Sequence, residues 1–171
     1  GVALQTMRSS THVQPGQALS CVGCHEPRTQ APPPAIAFAA RREPSKIVPG
    51  PEGSWPLRFD RLVQPVLDTH CTECHRPDGE NAEAAKRPLT AEVSYDRLVA
   101  FGNPCLADHV RGNYREGKSL EGDGAAATSP LLAMLTSEEG HHGVKLPPAD
   151  LERLIVWMDT YAQRLGTFDE R

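Results

Sequence analysis

The sequence predicts a mainly α protein with much irregular structure, in which a helical domain follows an extended segment. Three observations carry this. Apolar residues recur at helical spacing in two stretches, Phe59 to Leu67 and Leu151 to Leu165. No alternating β-branched strand borders either of the two cysteine motifs that the chain contains. The chain also has 16 prolines and 14 glycines among 171 residues, with only 5% aromatics, so its apolar inventory is thin.

Residues 1–53 are one segment and residues 54–171 a second. The first is punctuated by Ala31-Pro32-Pro33-Pro34, a polyproline stretch, and by Pro44, Pro49, Gly50, Pro51 and Gly53. In the second, Ser54 is placed to cap a helix through Phe59, Leu62, Val63, Val66 and Leu67, with Pro65 kinking or restarting it. A short helix is expected near Ser94 to Ala100. Asn103-Pro104 and Ser129-Pro130 each read as an N-cap followed by Pro at the first helical position. Gly112 to Gly124 reads as a polar surface loop. The last helix follows Pro147-Pro148, has Asp150 and Glu152 in its first turn, and should stop at Gly166. Its stripe is Leu151, Leu154, Ile155, Met158, Ala162 and Leu165.

Two copies of one pattern carry the chemistry: Cys21-Val22-Gly23-Cys24-His25 and Cys71-Thr72-Glu73-Cys74-His75. C-x-x-C-H is the attachment signature of c-type haem. Two thiols three positions apart share one side of a helical turn and can take two vinyl groups as thioethers, and the next His faces the iron. The pattern predicts two covalently bound haem c groups, with His25 and His75 as proximal iron ligands. A zinc site built from paired C-x-x-C motifs leaves both histidines unexplained. A redox dithiol lacks its βαβ context. Two buried porphyrins would also supply the core that the composition lacks.

The formal charge is −4, from 18 Lys and Arg against 22 Asp and Glu. No basic run points to nucleic acid. No stretch approaches the ~18 to 20 apolar residues of a membrane span. Haem attachment of this kind takes place outside the bacterial cytoplasm. A periplasmic or extracellular location is therefore expected, with a signal removed or lying upstream of Gly1. Cys105, the odd cysteine, reads as a small buried apolar residue.

The order amphipathic helix, C-x-x-C-H, middle helices, loop and long last helix resembles class I cytochrome c from about Ser54 to Gly166. That resemblance implies that the first and last helices cross beside the haem. It also implies that the sixth iron ligand comes from the loop before the last helix. Here the loop reads Glu139-Gly140-His141-His142-Gly143-Val144-Lys145-Leu146-Pro147-Pro148, without the family's Met. His141 or His142 is the expected distal ligand of the second haem, with His141 favoured; the alternatives are Met134 or none. Two imidazoles lower the potential relative to Met/His ligation. For the first haem, His12 can fold back through the Pro15-Gly16 turn, and His109, Met7 or an open position are the alternatives. His70 is given no role. Met158 reads as packing. Glu26, Arg28 and Arg76 read as solvated residues that could alternatively meet haem propionates.

The chain also resembles the C-terminal dihaem region of large planctomycete-type proteins related to the hydrazine synthase alpha subunit. The residues concerned are Val13-Gln14-Pro15-Gly16, Ser20 through Glu26, Pro51 through Pro56, Val63 through Asp68, Ser129 through Leu132, and Trp157-Met158-Asp159. In that family the first haem is catalytic, with a Tyr shortly after the motif as an iron ligand. Residues 26–30 here contain no Tyr, a departure that argues against hydrazine chemistry. The family's second haem is a bis-histidine electron carrier, the role implied for His75 with His141 or His142.

The leading expectation is electron transfer between two six-coordinate haems, with redox partner proteins. An enzyme would instead keep the His25 haem open to peroxide or a nitrogen compound. A third reading is a conductive subunit of a larger complex or filament, with the first segment reaching onto a neighbour.

Overall fold

The computed structural model describes residues 2, 14–17, 41–43, 56–116 and 123–166. The motif Cys21 to His25, His12, Met7, Ser54 and the polyproline stretch lie outside the described residues. Among those described, regular structure consists of seven α-helices and a single antiparallel bridge between His141 and Val144. The mainly α expectation holds.

Helices α1 (Phe59–Leu62) and α2 (Gln64–His70) are one amphipathic stretch interrupted at Val63. Pro65 falls in the first turn of α2, where its missing N–H costs nothing, so it restarts the helix rather than bending it. Arg58, not Ser54, stands at the N-cap of α1 and offers no side-chain cap. The predicted face holds: Phe59, Leu62, Val63, Val66 and Leu67 are all buried.

Helix α3 (Ala82–Ala85) has no apolar face to betray it in the sequence. Asn81 caps it by accepting from the amides of Glu83 and Ala84, both at 3.1 Å. Helix α4 (Ser94–Val99) lies where expected. Helix α5 (Leu106–Glu116) differs at both ends. Asn103 and Pro104 belong to a turn, and the helix begins at Leu106 instead of Pro104. At the other end Gly112 to Glu116 are helical rather than loop. Helix α6 (Pro130–Leu135) starts as predicted, with Ser129 Oγ accepting from the Leu131 amide at 3.1 Å.

Helix α7 (Pro148–Asp159) ends well before Gly166. Tyr161 and Ala162 both take positive φ, at 74° and 50°. The Ala162 amide reaches back to the Trp157 carbonyl at 2.8 Å, and the Tyr161 amide to Met158 at 3.3 Å. This is the Schellman ending, here without glycine at its left-handed position. Tertiary contacts hold it. Trp157 Nε1 donates to the Gln163 carbonyl at 2.9 Å, and Tyr95 Oη donates to the Ala162 carbonyl at 3.2 Å. Leu165, placed on the stripe by periodicity, is consequently 49% exposed, whereas Ala162 stays buried.

Helix α7 packs on α1 through aromatic contacts. Trp157 and Tyr95 each meet the Phe59 ring edge-on at 5.3 Å between centroids. Leu154, Ile155 and Met158 complete the α7 side of the core, facing α1–α2 and the buried Leu98, Leu106, Leu131 and Leu132. Two side chains lock the last helix to distant segments. His70 Nε2 lies 2.8 Å from Asp150 Oδ2, and Asp159 Oδ1 accepts from the Ala126 amide at 2.9 Å.

Trp157 is 1% exposed and at the centre of the aromatic cluster. Trp157→Ala should therefore cost about 3–5 kcal/mol in chemical denaturation. Leu165→Ala should stay within about 0.5 kcal/mol of the parent.

Candidate cofactor site

A cavity of about 490 Å³ opens between the end of α2, α4, α6 and the loop before α7. That is within the usual range for a small-molecule or cofactor pocket, about 300–1,000 Å³. Its wall is mostly apolar, with Leu67, Leu89, Leu98, Phe101, Leu131, Leu135, Leu146 and Leu154. The polar exceptions among the lining residues are Cys71, His75, His141 and two arginines, Arg87 and Arg97.

The second motif forms the rim because α2 ends immediately before it, with Cys71 as its C-cap. The Cys71 amide donates to Leu67 at 2.8 Å, and the His75 amide donates to the Cys71 carbonyl at 2.9 Å. The motif therefore continues as a helical turn, with Cys71 half-buried on the wall and Cys74 exposed. Burial pushes the Cys71 thiol up to about 11, and the neighbouring Cys74 adds to this. Redox-active dithiols need a depressed thiol pKa, so the environment speaks against that use.

His75 is held from two sides. Its Nδ1 donates to the Arg87 carbonyl at 2.9 Å, and its own carbonyl accepts from the Leu89 amide at 2.8 Å. The Nδ1–H bond leaves Nε2 as the unprotonated nitrogen that can bind a metal. The 87–89 segment is anchored in turn by Gln64, whose Nε2 donates to the Leu89 carbonyl at 3.2 Å and to Asp68 Oδ1 at 2.7 Å. The buried Ser94 hydroxyl donates to Gln64 Oε1. Sequence reasoning missed this anchor. Its one signal was a polar Gln inside the apolar run Val63-Gln64-Pro65-Val66-Leu67.

His141 reaches the cavity from a tight turn. The His141 amide and carbonyl pair with the carbonyl and amide of Val144 at 3.1 and 3.0 Å. His142 and Gly143, at the turn's centre, have φ of 50° and 83°, as a two-residue hairpin turn requires. Gly140 has φ of 70°, and a Cβ there would collide with the Val144 carbonyl. This geometry separates the two histidines. His141 lines the cavity, while His142 stands exposed at the tip, with its ring edge-on to His141 at 4.6 Å. Burial, followed by the nearby His142 and His75, lowers the His141 pKa. The neutral imidazole is the metal-binding form.

The rings of His75 and His141 have centroids 6.0 Å apart and planes 25° from parallel. Two imidazoles bound on opposite sides of one metal, with metal–nitrogen bonds of about 2 Å and ~1 Å from nitrogen to ring centre, would have centroids about 6 Å apart. Among the described residues no group of three or more His, Cys, Asp or Glu side chains is arranged to hold a metal ion. Two imidazoles alone on an apolar wall would suit a metal that brings further ligands of its own. The residues present are compatible in kind with a haem attached at the second motif: Cys71, His75 and His141 line the cavity, and Cys74 is exposed beside it.

Other sequence candidates fall elsewhere. Met134 lines the cavity, and Met158 is fully buried in the core. His109 on α5 is bound to the following turn, with Nε2 3.0 Å from the Ala125 carbonyl and 3.3 Å from Thr128 Oγ1. His70 pairs with Asp150, a use the sequence did not reveal. Cys105 is half-buried rather than buried, with its thiol 3.3 Å from Asp108 Oδ2, because it lies in the turn before α5 and not inside that helix. Arg76 is exposed beside Asp78 at 3.7 Å. Cys21, Cys24, His25 and His12 lie outside the described residues, as do Glu26 and Arg28. No described helix is long and apolar enough to cross a membrane.

Residues 1–26 match the family model described as the hydrazine synthase alpha subunit middle domain. The match ends one residue past His25 and does not extend to the second motif, so it supports a likeness to that subunit over this first segment, through its middle domain rather than the C-terminal dihaem region expected from the sequence. No curated protein and no solved structure matches the chain.

Gly140→Ala should strain the turn through both its positive φ and the Val144 carbonyl. The expected result is faster hydrogen exchange at the Val144 amide, by about tenfold or more, with little change at the Ala162 amide.

Proposed function

We propose that this protein is a dihaem c-type cytochrome that carries electrons. The observation that carries the reading is the pair His75 and His141, with ring centroids 6.0 Å apart in the lining of an apolar cavity whose wall includes Cys71. A bound haem supplies an iron that passes between ferric and ferrous states. This chain's part is to keep that iron six-coordinate, dry and fixed. The Arg87 carbonyl orients His75, and the Gly140–Gly143 turn orients His141. Ligands locked in this way reorganise little on electron transfer, and two imidazoles set a lower potential than Met/His.

The second unit has the element order of class I cytochrome c, with α1 and α7 packed together beside α2. The first haem rests on the repeated motif at Cys21, Cys24 and His25, with His12 as its distal ligand. A periplasmic or extracellular location and protein redox partners follow from the covalent haem chemistry. One observation favours a second reading. The segment carrying His25 is the part similar to a synthase subunit, so the His25 haem would be the open one if the protein is an enzyme.

Optical spectra of the reduced protein with carbon monoxide decide between them. A carrier stays fully low-spin and unchanged; a high-spin fraction near half that binds carbon monoxide would move the assignment to an enzyme. His141→Ala should open the second iron to carbon monoxide, whereas His142→Ala should leave the spectrum as it was.

A further inference from the structure

The cavity's charge pattern goes beyond iron ligation. Its lining includes two cations, Arg87 and Arg97, and no carboxylate. Both arginines are exposed, so they stand at the solvent edge of a largely apolar slot. Neither is ion-paired among the described residues. Two carboxylates close to Arg97 in the sequence are engaged elsewhere: Asp96 faces Arg164 at 3.9 Å, and the Glu92 carboxylate is stabilised by a hydrogen bond from Thr90. Two guanidiniums at the mouth of an apolar cavity match a flat apolar ligand with two anionic arms. Guanidinium suits this use, because its planar fork binds a carboxylate with two parallel bonds.

We propose that Arg87 and Arg97 hold the two propionate carboxylates of the haem at this site and thereby raise its reduction potential. The inference rests on the haem reading above. The sign follows from charge. Ionised propionates favour the ferric iron, and a guanidinium on each cancels part of that effect, so the ferrous state gains. Arg87 has two separate functions. Its backbone carbonyl fixes His75, and its side chain holds an anion. A side-chain substitution therefore leaves the axial ligand's support in place.

The test is a potentiometric titration of the full holoprotein, with the second-haem midpoint identified as the one that rises in His141→Met. R87Q and R97Q should each lower that midpoint by a threefold to tenfold shift in the one-electron equilibrium, about 59 mV at tenfold. R87K and R97K should recover most of it. R76Q, which removes an exposed arginine outside the cavity, should not move it. The double variant matching R76Q, with an intact bis-histidine spectrum, would overturn the propionate clamp alone. Absence of haem on the Cys71–Cys74 peptide by mass would overturn the haem reading and the clamp with it. If a glutamine variant fails to fold, resonance Raman of the unmutated protein reads the same contact. The propionate bending bands should shift in heavy water, and unshifted bands would refute the contact.

Discussion

The bond from His75 Nδ1 to the Arg87 carbonyl is the constraint on which the site depends. It fixes the tautomer of the imidazole, and with it which nitrogen is free for a metal. It also ties the motif to a segment twelve residues further along the chain. That segment is in turn pinned by Gln64 from the helix preceding the motif. The result is a closed circuit of hydrogen bonds: α2 to Leu89, Leu89 to His75, His75 to Arg87. A buried amide such as Gln64 is costly unless all its bonds are made. Here its donors and its acceptor are all used, so the network holds one arrangement instead of several.

Around that circuit the apolar core places the opposite wall. The edge-on contacts of Phe59 with Tyr95 and Trp157 join α1, α4 and α7. The same α7 carries Leu154 into the cavity and receives the loop bearing His141. The two histidines therefore approach from different parts of the fold. Their 6.0 Å spacing is set by helix packing as much as by the local turns.

Much of this was legible in the sequence where a rule is local. The α1–α2 stripe, the restart at Pro65 and the Ser129 cap each depend on neighbours within a few residues, and the structure reproduces them. The preference for His141 over His142 had no local rule behind it. The structure supplies one in the turn that points one ring into the cavity and the other to solvent. What the sequence hid was tertiary. Periodicity carried α7 on to Gly166, but Trp157 and Tyr95 draw the chain into a left-handed ending at Tyr161 and leave Leu165 outside. Periodicity alone likewise could not show that Gln64 and His70 are bonded to residues far along the chain.

The turn from Gly140 to Val144 has a kinetic consequence. Three of its residues already occupy left-handed backbone conformations, and its two ends are hydrogen-bonded to each other. Most of the ordering entropy of the distal imidazole is therefore spent on folding, before any metal is bound. Tethered this closely, His141 has a high effective concentration at the position facing His75. On the haem reading, an imidazole that lets go is recaptured before the arm can swing away. A small external ligand would then compete with a rebinding event, and its access would be set by the rate at which the turn itself unravels.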